Sequence, residues 1–366
     1  MKNIFLKFKK IFFLILFFFL ISDLIFGKYA YKKFIKKQLV DVDITKLSLK
    51  DKIYDHKLAK NFNDIVAWGD KRYKFCTDGN GFRVSCKDIN RNIKKFEIGF
   101  IGDSFTEGTG VDYENSFVGI IEKSLPKKNI ANLGVSSYSP SIYLTKLKRL
   151  LKTGYSFDEI IVFVDISDIV DDVLCYKVID KTKVERKETF KNCYTNLNYR
   201  ENKIFGFIEK NLKFTFLFLN LFIDKNDGIT KIENQLNHSR SEWTYNFNKT
   251  NLNGLDLKKA ISFSLKNMEN LYFFLKDNSI NLSIAVYPWP GTLKFDKVNN
   301  LQVDIWENFC KKKCTKFYNF MPIFFEEIDR DNFYNSYKKL FIKGDIHFNA
   351  YSNKLIADNF IKQYNK

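Results

Sequence analysis

The sequence predicts an α/β fold of three layers (αβα), in which helices cover both faces of a mainly parallel sheet, preceded by an N-terminal transmembrane helix. Short apolar stretches typical of buried strands alternate with amphipathic stretches typical of helices, and such alternation indicates a parallel sheet. A basic segment and a long apolar run open the chain. A chain of 366 residues can bury a large core, so we expect one large domain after that run.

The N-terminal segment predicts an uncleaved signal anchor. Residues 11–26 are apolar apart from Ser22 and Asp23, and they follow a lysine-rich start. The run is shorter than the about 20 residues that a spanning helix needs, and longer than the about 7–15 apolar residues of a cleaved signal peptide. We therefore expect the following order: a cytoplasmic basic segment (1–10), a transmembrane signal anchor (11–27), a tether (28–63) and a folded domain (64–366).

The elements of the folded domain follow from hydrophobic periodicity. A stretch such as 159–165 is apolar throughout and indicates a central strand, whereas 139–152 has apolar residues at helical spacing. On this basis we predict strands at 96–101, 129–133, 159–165, 282–287 and 316–320, and helices at 115–125, 139–152, 257–276, 301–311 and from 350 onward.

An insert at about 171–253 separates the third and fourth predicted strands. An insert of this length is usually functional or disordered. It contains an apolar stretch, residues 214–223, which is too short to span a bilayer and begins beside Glu209, Lys210 and Lys213. These features favour a lid or a core helix over a second span.

Composition and charge limit the classes of partner that we expect for this chain. The formal net charge is +18, but lysine is scattered along the chain instead of gathered with aromatic residues on one element, so we expect no nucleic-acid partner. A diffuse positive potential suits an anionic membrane surface or an acidic polysaccharide, and a solvated lysine-rich surface is the simpler alternative. The sequence contains no nucleotide motif and no metal-ligand cluster, so no cofactor and no metal are expected.

The six cysteines fall in pairs that are close in the sequence: Cys76 with Cys86, Cys175 with Cys193, and Cys310 with Cys314. An even number in local pairs suits disulfides and a domain outside the cytoplasm, on the periplasmic or extracellular face. The third pair requires its helix to end between the two cysteines, because cysteines one turn apart on a continuous helix bridge badly. A metal site is the alternative, but no histidine lies near any pair.

The most informative segment is Gly102-Asp103-Ser104, which follows the first predicted strand and continues as Phe-Thr-Glu-Gly. A serine at the carboxyl end of a strand lies at the edge where open α/β sheets bind ligands. This segment resembles the first sequence block of the SGNH, or GDSL-type, hydrolases, a family of esterases and O-acetyltransferase-like enzymes. The resemblance implies that Ser104 is the nucleophile and that its N–H is an oxyanion donor.

The resemblance implies three further blocks. Gly134, after the second strand, would supply a second oxyanion N–H. The third block should read Gly-x-Asn-Asp, but the chain has Asp165-Ile-Ser167-Asp168, so Ser167 would replace the asparagine as donor. Asp168 fits a structural role as well as a catalytic one. The last block supplies Asp345 and His347 as orienting acid and base.

The Asp-x-His spacing is shorter than the Asp-x-x-His of the hydrolase pattern, and is similar to that of alginate-type O-acetyltransferases. Extended backbone would place both side chains on one side. Of the three histidines only His347 has a matching context, because His56 lies in the predicted tether and His238 in the insert.

Together these residues predict a serine esterase that hydrolyses an acyl ester, such as an acetyl ester, on an envelope or exported carbohydrate through an acyl-enzyme at Ser104. Two alternatives stay open. The same site could transfer the acyl group to a cell-surface polysaccharide, or an inactive domain could bind glycan or act as a scaffold.

Overall fold

In the computed structural model a parallel sheet forms the centre of the domain. The structure describes residues 2–30, 44–68, 71–179, 183–187, 211–215, 218, 236, 240–246 and 256–365. The strands in these residues are β1 (Ser48–Asp51), β2 (Asp55–Leu58), β3 (Asn63–Trp68), β4 (Lys71–Cys76), β5 (Lys95–Ile101), β6 (Ile130–Asn132), β7 (Ser156–Val164), β8 (Tyr176–Ile179), β9 (Lys183–Arg186), β10 (Asn281–Val286) and β11 (Lys316–Asn319).

The α-helices of the described residues surround these strands. They are α1 (Lys2–Ala30), α2 (Ile44–Leu47), α3 (Ser104–Glu107), α4 (Phe117–Ser124), α5 (Pro140–Lys152), α6 (Asp168–Leu174), α7 (Leu257–Asp277), α8 (Pro290–Phe295), α9 (Leu301–Cys310), α10 (Met321–Phe325), α11 (Phe333–Leu340) and α12 (Ala350–Tyr364). Short 3₁₀ turns lie at Tyr113–Asn115 and Glu242–Thr244.

The central sheet has five strands in the order β11-β10-β7-β5-β6, and every neighbouring pair is parallel. Helix α4 packs with α12, and α5 and α6 pack with α7, which gives the helical layers on the two faces. The central strands are apolar because both faces are covered: Phe100, Ile161 and Ile284 are fully buried. The predicted three-layer α/β fold with a mainly parallel sheet is confirmed.

The predicted tether is wrong for residues 44–63. These residues form α2, the antiparallel hairpin β1–β2 and the start of β3, and Leu47, Tyr54 and Leu58 are buried. Apolar residues this widely spaced show no periodicity, so their burial depends on contacts with distant residues, such as the hydrogen bond from the Tyr138 hydroxyl to the His56 carbonyl oxygen. Residues 31–43 lie outside the described residues.

By contact density the chain divides into two units. Unit 1 comprises residues 1–42 and 198–231, and unit 2 comprises residues 43–197 and 232–366. In unit 1, residues 9–27 of α1 are long and apolar enough to cross a membrane, and their large side chains, such as Leu14 and Phe17, are exposed. Unit 2 contains the central sheet.

Two of the predicted disulfides are present. Cys76 bonds to Cys86, and Cys310 bonds to Cys314 because α9 ends at Cys310 and frees the chain to turn. Cys175 is also in a disulfide, but Cys193 lies outside the described residues, so that pairing stays a prediction. In the described part of the chain no group of histidine, cysteine and acidic side chains is placed to hold a metal ion.

Candidate active site

The nucleophile candidate lies in a tight turn at the carboxyl edge of the sheet. Strand β5 ends at Ile101, and the Asp103 carboxylate accepts a hydrogen bond from the Phe105 N–H (2.9 Å), which caps the single turn of α3 that begins at Ser104. Gly102 permits this turn, since a Cβ there would lie 2.2 Å from Oγ1 of Thr106. Ser104 is therefore held at one position and is only 9% exposed.

The structure brings the three predicted catalytic side chains together. Nε2 of His347 lies 2.7 Å from Oγ of Ser104, and Nδ1 of His347 is hydrogen-bonded to Oδ1 of Asp345. Ser104 is the first residue of α3, and Asp345 and His347 lie in the loop between α11 and α12. This arrangement has the geometry of a nucleophile, a base and an orienting acid.

The predicted reason for the Asp-x-His contact is wrong. Residues 345–347 form a bend, not extended backbone. Oδ1 of Asp345 accepts from the backbone N–H of His347 (2.8 Å) as well as from its ring, so one carboxylate oxygen fixes both the turn and the imidazole. The bend brings the ring within reach although the spacing is one residue shorter than in the hydrolase pattern.

Trp68, which no sequence motif marks as part of the site, holds the other oxygen of Asp345. Its indole N–H donates to Oδ2 of Asp345 (2.8 Å). The Tyr337 hydroxyl fixes the backbone at the same residue, donating to the Asp345 carbonyl oxygen (2.7 Å). Burial raises the pKa of Asp345, but the charge of His347 and the hydrogen bonds from His347 and Trp68 outweigh it, and the pKa is lowered. Asp345 is therefore ready to stabilise a cationic imidazole.

Aromatic residues surround the histidine. The Phe105 ring lies against the His347 ring, with centroids 4.8 Å apart, and also contacts the rings of Tyr287, Trp289 and Phe348. His347 itself is only 5% exposed. The low polarity around His347 and Ser104 strengthens the hydrogen bond between them and limits the access of water.

Both additional oxyanion donors have partners within the protein. The Gly134 N–H donates to Oδ1 of Asn132 (3.0 Å), and the Ser167 hydroxyl donates to Oδ2 of Asp171 (3.3 Å). Gly134 packs directly on α3, because a Cβ there would lie 2.5 Å from the Glu107 nitrogen. The oxyanion roles stay predictions, and each requires its donor to exchange a partner when a ligand binds.

The loop that carries Gly134 is fixed by three buried polar side chains. Lys146 donates to the Leu133 carbonyl oxygen (2.8 Å), Glu107 accepts from the Ser136 N–H (2.7 Å), and Nε2 of His56 lies 2.7 Å from the Ser136 carbonyl oxygen. Burial lowers the pKa of Lys146 to about 7. His56, predicted to lie in the tether, thus helps to fix the loop of Gly134. His238 lies outside the described residues.

Arg83 supports the turn on the other side of the nucleophile. It lies in the loop that the Cys76–Cys86 disulfide closes, and its buried guanidinium donates to the carbonyl oxygens of Glu107, Gly108 and Val111. Glu107 is the last residue of α3, and Gly108 and Val111 follow it, so the guanidinium binds acceptors at and just after the end of this short helix.

Carboxyl groups lie buried behind Ser104. Trp289 donates to Asp165 (2.6 Å), Tyr143 donates to Asp168 (3.1 Å), and Oγ of Ser104 is 3.4 Å from Oδ2 of Asp103. Burial, and for Asp103 and Asp168 the neighbouring negative charge of Asp165, raise the pKa of all three. Asp168 is fully buried and touches neither Ser104 nor His347 by any described hydrogen bond, which favours the structural role.

No protein-family model and no curated protein matches the chain. Several solved structures do. They include a lipolytic protein of the G-D-S-L family from Desulfitobacterium hafniense (14% identity, TM-score 0.37, covering 74% of this chain and 99% of that one). A G-D-S-L family member from Veillonella parvula (14%, 0.40, 74% and 98%) and the acetylxylan esterase Axe2 from Geobacillus stearothermophilus (10%, 0.36, 74% and 93%) are also similar.

Proposed function

We propose that the chain is a membrane-anchored serine esterase of the SGNH type that hydrolyses an acyl ester, such as an acetyl ester, on an envelope or exported carbohydrate. The observation that carries this proposal is the 2.7 Å contact between Nε2 of His347 and Oγ of Ser104, with the other ring nitrogen bound to Asp345. A serine is a weak nucleophile on its own, and a histidine placed in this way activates it.

The proposed reaction has two halves. His347 takes the proton of Ser104 as Oγ attacks the ester carbonyl, and Asp345 stabilises the resulting imidazolium. The imidazolium then gives its proton to the departing alcohol as the acyl–oxygen bond breaks, which leaves an acyl-enzyme on Ser104. In the second half a water molecule gives a proton to His347 and attacks the acyl carbon, and the proton returns to Ser104 as the acid leaves.

The amide of Ser104 and that of Gly134 are the oxyanion donors in this proposal. Gly134 contributes if the carbonyl oxygen of the substrate displaces Oδ1 of Asn132 from its N–H. Ser167 is the less favourable donor, since its hydroxyl is directed to Asp171 and its N–H donates to Asp165. One lost donor typically costs about 2.7–4 kcal/mol of transition-state stabilisation. The number of donors that bind the oxyanion therefore has a large effect on the rate.

An envelope location is supported by two features. Residues 9–27 of α1 suit a single span, and the disulfides suit an oxidising compartment for the domain that follows it. A carbohydrate substrate is supported by the net charge of +18, which would concentrate an acidic polysaccharide near the domain.

Transfer to a second hydroxyl is the alternative outcome of the same chemistry. It is favoured by the Asp-x-His spacing, which resembles that of alginate-type O-acetyltransferases. The acyl-enzyme is common to both reactions, and only the acceptor differs.

The full chain in detergent tests the proposal with a short-chain acyl ester. We expect turnover in the parent and a loss of at least a hundredfold in Ser104→Ala and in His347→Ala, because both act in the same step. Ser264→Ala is the matched control, since the Ser264 hydroxyl is buried without a partner among the described residues, and it should keep full activity.

Three outcomes separate the candidate functions. Turnover that depends on a saccharide acceptor and exceeds hydrolysis identifies a transferase. Hydrolysis without such dependence identifies an esterase. If the parent is inert and a serine-reactive fluorophosphonate does not label Ser104, the domain binds glycan or acts as a scaffold.

A further inference from the structure

A second Asp–His pair contacts the loop that carries Gly134. Nδ1 of His56 is 2.7 Å from Oδ2 of Asp55, and Nε2 of His56 is 2.7 Å from the Ser136 carbonyl oxygen. Asp55 and His56 belong to β2, and both are buried. The pair therefore joins hairpin β1–β2 to the segment that follows the candidate oxyanion donor.

The third partner distinguishes this pair from Asp345 and His347. Nε2 of His347 faces the hydroxyl of Ser104, which can donate its proton to a neutral ring. Nε2 of His56 faces a carbonyl oxygen, which only accepts. An ionised Asp55 only accepts as well, so both ring nitrogens of His56 must carry protons for both contacts to be hydrogen bonds.

The Asp55 carboxyl is held in its ionised form. Its Oδ2 accepts from Nε of Arg186 (2.6 Å) as well as from the His56 ring. Burial raises the pKa of Asp55, but the hydrogen bonds and charges of His56 and Arg186 outweigh it, and the pKa is lowered. A neutral His56 would therefore direct a ring lone pair at an acceptor oxygen.

The groups around the His56 ring carry both signs of charge. Arg186 lies on β9, in the described part of the predicted insert, and its Nη2 is 3.4 Å from Nδ1 of His56. The buried carboxyl of Glu107 on α3 interacts electrostatically with His56, and the Tyr138 ring stands edge-on to it. The other charged groups near the pair line a cavity of about 850 Å³ beside it: Lys50, Asp51, Lys52, Lys183 and Glu185. Asp55 makes the shorter of the two direct charged contacts, so its charge stabilises the imidazolium.

The backbone is constrained on both sides of the contact between His56 and Ser136. Asp55 and Ser137, the neighbours of these two residues, have left-handed φ angles of 70° and 67°. Such angles are uncommon for residues other than glycine and persist only where surrounding contacts hold them. The Tyr176 hydroxyl supplies one such contact by donating to the Ser137 carbonyl oxygen. Loss of the His56 hydrogen bond would remove another, and the backbone could then relax.

We propose that His56 is a positioning residue that acts as an imidazolium cation, whose charged ring holds the Ser136 carbonyl oxygen and thereby fixes Gly134 for the oxyanion. Because a carboxylate is the stronger acceptor, a neutral ring would keep its proton on Nδ1 and lose the bond to Ser136. The two Asp–His pairs therefore need opposite charges, since His347 must be neutral to take the proton of Ser104. This inference rests on the proposed hydrolysis at Ser104.

Ring-nitrogen NMR of the full chain in detergent tests the charge directly. Histidine labelled at its ring nitrogens gives signals from only three rings, which the variants His56→Gln and His347→Ala assign. At about pH 7, within the range where histidine changes charge, we expect two protonated nitrogens in His56 and one in His347. A single protonated nitrogen in His56 would overturn the inference, whatever the activity of the chain on esters.

The pH profile of kcat/KM on a short-chain ester tests the role. Activity should rise with pH as His347 becomes neutral, and fall at higher pH as His56 loses its proton. His56→Gln should keep kcat within about threefold of the parent's maximum and lose the fall at high pH, because an amide donates to Ser136 at every pH. His56→Phe has no donor and should lose at least about tenfold in kcat, part of what one oxyanion donor supplies. An unchanged fall in His56→Gln, or full kcat in His56→Phe, would overturn the inference.

Asp55→Asn tests the origin of the charge. Asparagine tolerates the left-handed angle but removes the negative charge beside the ring, so the fall in activity should begin at lower pH than in the parent. A fall at the same pH in both proteins would mean that Asp55 does not hold His56 as a cation.

Lys146→Met is the control from the other side of Gly134. Lys146 donates to the Leu133 carbonyl oxygen, and burial lowers its pKa to about 7, but a neutral amine still donates. Lys146→Met should therefore keep the fall at high pH. If the fall disappears in Lys146→Met and persists in His56→Gln, the titrating group is Lys146 and the inference fails. An inert parent would contradict the proposed hydrolysis instead, while the proton count on the His56 ring would still decide its charge.

Discussion

The indole N–H of Trp68 donates to Oδ2 of Asp345 at 2.8 Å, and the Trp68 ring stands edge-on to the His347 ring with centroids 5.1 Å apart. Trp68 ends β3, in the part of the chain before the first strand of the central sheet. A residue outside all four hydrolase-like blocks therefore fixes the orienting acid of the candidate triad. We regard Trp68 as a positioning residue, because its hydrogen bond reaches the reacting serine only through Asp345 and His347.

Trp68→Phe keeps an aromatic ring but removes the donor. A hydrogen bond to a charged group contributes about 1.5–3 kcal/mol, so kcat/KM on a short-chain ester should fall about tenfold to a hundredfold. The donor helps to lower the pKa of Asp345, so its loss should raise that pKa, strengthen the hold on the imidazolium and move the acid limb of the pH profile to higher pH.

Trp306→Phe is the matched control for that variant. The Trp306 side chain is fully buried, and its indole N–H has no hydrogen-bond partner among the described residues. It should alter stability without moving the pH profile. A pH profile of Trp68→Phe that coincides with the parent's would remove the positioning role.

Ser167→Ala tests the replacement of the third-block asparagine. Because the Ser167 hydroxyl donates to Asp171, we expect kcat to fall less than tenfold in ester hydrolysis. A direct oxyanion donor would instead cost about a hundredfold to a thousandfold. A loss of that size would show that the hydroxyl turns to the substrate in the transition state.

The local parts of this site could be predicted from the sequence. Ser104 follows an apolar strand, and His347 is the one histidine of three that lies in a matching context, so order along the chain was enough to pair them. The bend at residues 345–347 could not be predicted, because it depends on a carboxylate that bonds to both the backbone and the ring of His347.

The other features of the site that the sequence does not predict are contacts between distant segments. Trp68 and Asp345 are separated by 277 positions, and His56 and Ser136 by 80, so no spacing rule connects them. The lack of periodicity in residues 44–63 predicts a tether, yet hairpin β1–β2 folds there and brings His56 to the loop of Gly134. Local patterns predict elements, but supporting contacts of this kind require the tertiary structure.

Removal of the Cys76–Cys86 bond by a double alanine substitution should affect both stability and activity. The bond closes a loop of 10 positions, for which the chain-entropy account gives about 3 kcal/mol of unfolding free energy. The same loop carries Arg83, whose guanidinium holds the turn after α3, so kcat should fall as well. Denaturant unfolding and ester turnover of the same preparation measure the two effects.

The matched control is the double alanine variant of Cys310 and Cys314. The disulfide that it removes closes a loop of only 4 positions at the end of α9. We expect a smaller loss, about 2 kcal/mol on the same account, and unchanged kcat. Equal effects of the two double variants on kcat would show that the Cys76–Cys86 loop does not support the active site.

Asp168→Asn should stabilise the protein increasingly as the pH rises. Burial and the charge of Asp165 raise the pKa of Asp168 in the folded chain. In the unfolded chain its ordinary pKa is about 3.9, so above that pH the unfolded state loses the proton first and stability falls with rising pH. Asparagine carries no proton to lose and can accept from the Tyr143 hydroxyl as Asp168 does. The Tm of Asp168→Asn minus that of the parent should therefore be about 2–4 °C larger at pH 8 than at pH 4. A change of about 1 kcal/mol in the free energy of unfolding produces a shift of this size.

Asp304→Asn on the exposed side of α9 controls for the change of net charge, and its Tm difference from the parent should stay constant over the same pH range. The measurement is thermal unfolding by circular dichroism at several pH values. A parallel pH dependence of Asp168→Asn and the parent would mean that Asp168 is ionised in the folded protein, with a counter-charge sufficient to offset its burial behind Ser104.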